Sequence, residues 1–345
     1  MATLNSSPSF ETWGLPSSYF YQGRNDIPVN IDRSLLSFWV PTVASDFRPQ
    51  QSSPTIQESE FKQLWVPKTV SKFLPSSISW AVGREQKQVL DQKQPPSILE
   101  MVCGSLCFPK EGKEYSQGDD AHFISLDTQT IGVADGVGGW SRRGIDAGKY
   151  ARDLMKNSEI AAEFEPKGAV NPKKVMQEAY SNTKADGSST ACIITLHSSN
   201  NILHAANVGD SGFVLIRGGK VVYKSPVQQH RFNFPYQLGN CTDDINLAQE
   251  LQVPVEEGDV VIAGTDGFFD NVHGSEIEEI MKSKTSEGAQ PKEVACTLAN
   301  IALYNSFDRF ADSPFAIESR KAGYSHRGGK EDDITVIVAF IQASN

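Results

Sequence analysis

Aspartates in turn-like or strand-end settings recur along this chain from Asp119 to Asp333. They occur as Asp119 and Asp120 in GDDAHF, Asp135 in IGVADGVGGW, Asp210 in ANVGDSG, Asp266 in IAGTDGFFD, and Asp332 and Asp333 in KEDDITVIV. Carboxylates that a fold brings together repel one another unless a cation lies between them, and carboxylate oxygens are ligands that hard divalent ions prefer. The pattern therefore predicts a divalent metal site assembled from separate parts of the chain.

Asp135 is the strongest candidate for the centre of such a site. It follows an apolar strand-like run over 131–134 and precedes Gly136, whose missing Cβ would let its carbonyl approach an ion closely. Hydrolysis of a phosphomonoester can use two divalent ions about 3.5–4 Å apart, which requires a carboxylate that bridges them. We assign the bridge to Asp135. Asp266 has the same arrangement of strand, Asp and Gly. A single Asp-Gly pair would favour a turn, whereas the whole constellation favours a metal site.

Six segments together resemble a known family. GDDAH, VADGVGG, GSSTA, NVGDSG, GTDGFFDNV and EDDITVIV occur in the order seen in the PPM family, the metal-dependent serine/threonine protein phosphatases of type 2C. The sequence is most similar to the plant branch that carries DGVGGW, and the resemblance covers roughly residues 100–343. It implies an α+β fold, a four-layer α-β-β-α sandwich of two antiparallel sheets flanked by helices. It also implies hydrolysis of protein phosphoserine and phosphothreonine by a hydroxide that two Mg²⁺ or Mn²⁺ ions activate, without a covalent phosphoenzyme.

The resemblance also assigns roles to individual residues. Asp135 would touch both ions, Gly136 would offer its carbonyl to one, and Asp266 and Asp332 would complete the coordination of one ion. Asp119 would act through ordered waters, and Asp210 matches an aspartate linked to a third, weaker metal position. We rank Asp120 as a structural partner and place Asp333 below Asp332. We interpret residues 187–190 as strand entry, because no lysine follows the glycine at the spacing of a phosphate-binding P-loop.

Two departures from the family pattern affect the substrate side. Many members have an arginine before the first acidic pair, where this chain has Tyr115. We predict that Lys113 or Lys110 anchors the phosphate instead; the alternative is a solvated loop lysine.

The second departure concerns the proton for the leaving alcohol. Many relatives have DGH, and this chain has Val137 in place of the histidine. His122 and His230 are the candidate donors, with structural histidines or a metal-bound water as the alternatives. Arg142 and Arg143 are weaker candidates, since a solvated loop explains them equally well.

The elements that must position these residues are predicted from residue 98 onward. Strand-like runs cover 131–134, 191–196, 202–207, 213–217, 221–224, 260–263 and 334–340, and helical patterns fit 146–160, 171–184, 275–283 and 291–306. Gly218 and Gly219 predict a tight hairpin. We divide the chain into a poorly ordered leader over 1–97, a candidate targeting segment, and a phosphatase domain over 98–345.

The amino-acid composition further limits the functional class and the cellular setting of the protein. The formal charge of −10 argues against a nucleic-acid binder. Five cysteines without a second cysteine or histidine pair predict reduced thiols and an intracellular setting, with the chloroplast or mitochondrion as candidate compartments. No apolar run is long enough for a membrane span. We expect a monomer that acts on phosphorylated proteins; the alternatives are a non-catalytic binding protein with the phosphatase fold and a hydrolase of small phosphate esters.

Overall fold

A computed structural model of the protein describes residues 98–113, 117–240 and 243–344. The predicted leader over 1–97 lies outside the described residues, as do Tyr115 and Cys241.

One five-stranded antiparallel sheet contains both the first and the last strand of the domain. Its order is β1-β14-β13-β7-β8. The strands are β1 (Leu99–Phe108), β7 (Gly212–Arg217), β8 (Lys220–Lys224), β13 (Val260–Gly264) and β14 (Ile334–Ala343). Strand β14 pairs with β1 along its whole length and with β13 on its other side. The predicted hairpin joins β7 to β8, and Gly218 and Gly219 both have positive φ, as its two-residue turn requires.

A second five-stranded antiparallel sheet has the order β12-β6-β5-β3-β2. Its strands are β2 (Asp120–Ser125), β3 (Thr130–Asp135), β5 (Ala191–His197), β6 (Ile202–Val208) and β12 (Gln249–Pro254). Four short strands lie outside both large sheets: β4 (Ser188–Ser189) pairs with β11 (Leu238–Gly239), and β9 (Gln229–Arg231) pairs with β10 (Phe234–Pro235).

Helices cover the outer faces of both sheets. In the described part of the chain, α1 (Ala147–Glu163) and α2 (Pro172–Asn182) lie on one sheet, and α3 (Asp266–Phe269), α4 (Gly274–Glu287) and α5 (Pro291–Phe307) lie on the other. A further helix, α6 (Pro314–Lys321), follows α5 in the chain. Two of these helices begin at residues that favour a helix N-terminus. Asn171 caps α2 by accepting a hydrogen bond from the Lys174 amide, and Pro291 begins α5.

Three apolar clusters separate the four layers. One cluster lies between the sheets and includes Ile194, Phe213 and Ile337. A second packs α1 and α2 against the sheet that contains β5, and a third packs α4 and α5 against the sheet that contains β14. The predicted four-layer α-β-β-α sandwich is thereby confirmed.

Position at a sheet edge explains why three strands of the two large sheets were not predicted from the sequence. All seven predicted strand-like runs are strands, whereas three strands of the two large sheets, β1, β2 and β12, and the four short strands β4, β9, β10 and β11 were not predicted. Each of these three lies at the edge of its sheet. An edge strand is less completely buried, so its sequence carries more polar residues and a weaker apolar signal; β12, for example, reads QELQVP. Within the described residues, no helix is long and apolar enough to cross a membrane.

Candidate metal centre

Asp135 ends β3, where hydrogen bonds from a neighbouring segment fix its backbone. Its amide donates to the hydroxyl of Thr190 (3.0 Å), and the Thr190 amide donates to its carbonyl (2.9 Å). The predicted role of residues 187–190 in strand entry and hydrogen bonding agrees with this arrangement. Gly136 forms a bridge with Ser189, and a Cβ at Gly136 would overlap the backbone of Ala147. Only glycine therefore fits at this position.

Asp120 lies directly opposite Asp135 in the β2–β3 register. It is 4% exposed, and its Oδ2 accepts a hydrogen bond from the hydroxyl of Thr265 (2.7 Å). Because Thr265 follows β13 in the other sheet, this contact joins the two sheets beside Asp135. The preceding residue, Asp119, contributes its backbone too, since its carbonyl accepts from the Gly136 amide (3.0 Å).

Asp266 and Asp332 come together at the neighbouring ends of β13 and β14. Asp266 begins α3 two residues after the end of β13, and Asp332 lies two residues before the start of β14. Gly267 makes the approach possible, because a Cβ at this position would overlap the carbonyl of Asp333 and lie 3.3 Å from the Cβ of Asp332. The Asp-Gly pair therefore serves close packing of α3 on the start of β14.

The carboxylates lie close enough to raise one another's pKa. Burial holds the pKa of Asp135 well above its ordinary value, and the charges of Asp266, Asp120, Asp332 and Asp210 raise it further. These neighbours come from four separate segments and from both sheets. Such mutual repulsion is what a bound cation would relieve.

Asp210 approaches the same cluster from the turn after β6. Its Oδ2 accepts from the side-chain amide of Gln229 (2.9 Å), and burial together with the charge of Asp266 raises its pKa to about 7. Asp270, one helical turn after Asp266, was not singled out from the sequence. Burial raises its pKa to about 6, against a lowering effect of Lys330. The i, i+4 spacing in DGFFD is the signal that could have identified it.

Among the residues that the structure describes, the buried Oδ1 atoms of Asp120 and Asp210 have no hydrogen-bond partner. An unpaired buried carboxylate oxygen is costly, and a divalent cation is a ligand that would satisfy it. In the described part of the chain, no three His, Cys, Asp or Glu side chains are arranged so that they could hold a metal ion together. Lysine ammonium groups lie among the carboxylates instead.

Lys113 is one of these lysines, and it lies beside Asp119 and Asp333. Its ammonium contacts Oδ2 of Asp119 and lies 3.4 Å from Oδ2 of Asp333. Asp333 is 2% exposed and also accepts from the Lys110 amide (2.7 Å), so it organises the loop before the acidic pair. Lys110 itself points its ammonium at the Glu331 carbonyl (2.6 Å).

Lys330 is the second lysine, and sequence reasoning missed it. Its ammonium contacts Asp266 and lies 2.9 Å from Asp270 and 3.2 Å from Asp332. Burial lowers the pKa of Lys330, but the three carboxylates outweigh this effect and hold the pKa well above its ordinary value. The sequence places this lysine in a loop before the final strand. Its three carboxylate partners could not be recognised there, because the contacts depend on the tertiary fold.

The candidate proton donors have other partners. His122 Nε2 is 2.9 Å from the hydroxyl of Ser105, and burial lowers its pKa. His230 Nε2 is 2.9 Å from Oδ1 of Asp243, which lies on the segment after β11. Both histidines therefore fit the structural alternative considered for them.

The loop after Gly136 holds the remaining candidates. Arg142 and Arg143 lie on an exposed 3₁₀ turn over Gly138–Arg143, where Arg143 stacks on Trp140. Trp140 in turn donates to the Ser188 hydroxyl (2.6 Å). This loop is therefore anchored beside Asp135, with its arginines facing solvent.

A cleft of about 300 Å³ opens beside the carboxylates. Its lining includes Asp210, Asp266, Asp270, Phe232, Phe269 and Phe315. The charged end of the cleft coincides with the cluster, and aromatic rings form the adjoining walls. The carboxylates therefore share an open cleft with these aromatic rings.

Comparisons with known proteins agree with this arrangement. A family model described as Stage II sporulation protein E (SpoIIE) matches residues 127–342. "Probable protein phosphatase 2C 55" of Arabidopsis thaliana is 45% identical over 273 residues, which are 79% of this chain and 58% of the relative. The X-ray structure of the photosystem II phosphatase PBCP is 33% identical with a TM-score of 0.66, over 71% of this chain and all of that chain.

A more distant structure shares the fold. The catalytic domain of the serine/threonine protein phosphatase PstP, in complex with two manganese ions, is 16% identical with a TM-score of 0.50, over 71% of this chain and 99% of that one. The chain belongs to the type 2C family of protein phosphatases. It spans about six-tenths of the length of the Arabidopsis relative.

Proposed function

We propose that this protein is a serine/threonine protein phosphatase that hydrolyses phosphoserine and phosphothreonine with two Mg²⁺ or Mn²⁺ ions. The observation that carries the proposal is the convergence of four aspartates from separate segments on Asp135. Membership of the type 2C family supports it, and so do the unpartnered Oδ1 atoms of Asp120 and Asp210, which suit a cation.

The ions would be held by the residues singled out from the sequence. Asp135 would bridge them, Gly136 would offer its carbonyl, and Asp266 and Asp332 would complete the coordination of one ion. Asp119 would act through water, and Asp210 suits a third, weaker position. A pair of bound ions would lower the pKa of a water molecule and draw charge from the phosphoryl oxygens.

The protein's own residues would orient the reaction. Thr190 and Thr265 fix Asp135 and Asp120 through the hydrogen bonds described above. Lys113, at the edge of the cluster, would bind a phosphoryl oxygen as a point charge. The cleft beside Asp210 and Asp266 would receive the polypeptide that carries the phosphate. We also infer a monomer that acts on phosphorylated proteins, with an organelle as a candidate compartment.

The test is phosphate release from a phosphothreonine peptide. We expect release with Mn²⁺, none with EDTA, and none with Mn²⁺ in Asp135→Asn. Asp153→Asn is the matched control, because Asp153 pairs with Lys149 on the exposed face of α1. Full activity in Asp135→Asn would refute the bridging role, and equal rates in EDTA would refute metal dependence.

A parallel assay separates the alternatives. A hydrolase of small esters would cleave a small aryl phosphate much faster than the phosphopeptide. A non-catalytic binding protein would bind the phosphopeptide without releasing phosphate under any metal condition. We expect turnover of the phosphopeptide, with circular dichroism showing that every variant is folded.

A further inference from the structure

Lys330 has an unusual position for a lysine in a candidate metal site. Its side chain is 14% exposed, and its ammonium contacts oxygens of Asp266, Asp270 and Asp332. Asp266 and Asp332 are two of the residues proposed to ligate metal. A carboxylate oxygen that accepts a hydrogen bond from an ammonium group uses a lone pair that would otherwise coordinate a cation.

The backbone of Lys330 is held in place. Its amide donates to Oδ1 of Asn271 (2.9 Å), and Nδ2 of Asn271 donates back to its carbonyl (2.8 Å). Asn271 is 1% exposed, and the ring of Phe315 lies 5.2 Å from the ammonium. Buried neighbours therefore aim the side chain at the carboxylates.

The cluster consequently has two different flanks. On the flank of Lys330, the ammonium neutralises part of the charge of three carboxylates. Elsewhere in the cluster, the Oδ1 atoms of Asp120 and Asp210 are buried and unpartnered. A divalent ion gains most where carboxylate oxygens lack a partner, and it is repelled where a fixed positive charge already lies.

We propose that Lys330 is an internal counter-ion that competes with divalent metal for Asp266 and Asp332 and thereby sets the metal concentration that the protein requires. The inference rests on the proposed function, because it assumes that these carboxylates bind metal. Lys330 acts through the carboxylates and is a positioning residue. Its removal is expected to strengthen metal binding, the opposite of what loss of a supporting residue would do.

The experiment is a calorimetric titration of the metal-free protein with Mn²⁺, without substrate. In Lys330→Met, the weaker class of Mn²⁺ sites should bind at least about tenfold more tightly. Lys330→Arg keeps the charge and should remain within about twofold of the unmodified protein. Lys220→Met is the matched control, since Lys220 is an exposed lysine that pairs with Glu278. Unchanged or weaker Mn²⁺ binding in Lys330→Met overturns the proposal.

Without its counter-ion, the metal-free variant could unfold through carboxylate repulsion. The same question is then answered by following refolding of Lys330→Met, and of Lys330→Gln as a second neutral variant, against Mn²⁺ concentration. A refolding midpoint below the Mn²⁺ midpoint of the unmodified protein supports competition, and a midpoint above it overturns competition.

Failure of this inference can be distinguished from failure of the proposed function. Mn²⁺ binding that responds to Lys330→Met in a protein without phosphatase activity would uphold the inference and refute the function. Phosphatase activity in a protein whose Mn²⁺ affinity is the same with and without Lys330→Met would uphold the function and refute the inference. Absence of Mn²⁺ binding in the unmodified protein and in all variants would refute both the inference and the proposed function.

Discussion

The hydroxyl of Thr265 donates a hydrogen bond of 2.7 Å to Oδ2 of Asp120. Thr265 follows β13 of one sheet, and Asp120 begins β2 of the other, so a single side chain joins the two sheets at the metal end. The same hydroxyl accepts from the Thr335 amide (3.1 Å) at the start of β14. Thr265 is fully buried, and water therefore cannot replace either contact.

Replacement of Thr265 by Val should destabilise the protein. The side chain keeps its shape, but Asp120 and the Thr335 amide each lose a buried partner. Hydrogen bonds to charged groups contribute about 1.5–3 kcal/mol, so we expect a decrease of about that size in the free energy of unfolding. Chemical denaturation of the metal-free protein measures it.

Thr297→Val provides the comparison. Thr297 donates to the Glu293 carbonyl within α5 in an exposed setting, and its loss should change the free energy of unfolding by less than about 0.5 kcal/mol. Equal effects of the two substitutions would contradict the role given to Thr265.

The metal-free protein should lose stability as the pH rises from 5.5 to 8. Burial raises the pKa of Asp210 to about 7 and that of Asp270 to about 6, whereas an unfolded aspartate has a pKa of about 3.9. The folded state therefore holds protons that the unfolded chain has released, and this stability is lost as the pH passes through 6 and 7. Each group contributes up to about 1.4 kcal/mol per pH unit over that window.

Mn²⁺ should oppose this loss, because it binds the ionised carboxylates. The gain in free energy of unfolding on adding Mn²⁺ should thus be larger at pH 8 than at pH 6. Denaturation curves at several pH values, with EDTA and with Mn²⁺, measure both effects. Asp210→Asn should weaken the pH dependence of the free energy of unfolding of the metal-free protein. A metal-free stability that rises over the same range would show that these carboxylates are ionised in the folded protein.

Lys113→Ala should raise the KM for a phosphopeptide by roughly tenfold, the equivalent of one charge-assisted hydrogen bond. The expectation follows from the position of the Lys113 ammonium beside Asp119, at the edge of the cluster. Steady-state kinetics with saturating Mn²⁺ separate KM from kcat.

Lys110→Ala is the control for this measurement. The Lys110 ammonium bonds to the Glu331 carbonyl on the exposed side of the same loop, so its KM should stay within about twofold. An unchanged KM in Lys113→Ala would remove Lys113 as the phosphate anchor.

Motifs predicted the carboxylates far better than they predicted the lysines around them. Asp135, Asp266 and Asp332 occur in short segments whose order alone indicated convergence, and the fold brings them together. Lys330 and Asp270 were missed because their importance depends on contacts across the chain. A lysine in a loop has no local pattern that distinguishes a buried counter-ion from a solvated side chain.

Strand prediction failed for an equally physical reason. The strands with an uninterrupted apolar run, such as β5 and β14, are central in their sheets. The three that were missed in the two large sheets are edges, where exposure permits polar residues and the sequence loses its periodicity. Of these, β2 begins with Asp120, which belongs to the candidate site. Part of the site is therefore positioned by a strand that was not predicted from the sequence.

Gly267 limits how this site can change in evolution. Any larger residue there would push against the Asp333 carbonyl and separate Asp266 from Asp332. Mutation can therefore adjust the spacing of these two aspartates very little, whereas, among the residues that the structure describes, no glycine of this kind constrains the lysines beside them. Variation in metal requirement among relatives of this chain would then arise at the lysine positions, with the aspartate framework held constant.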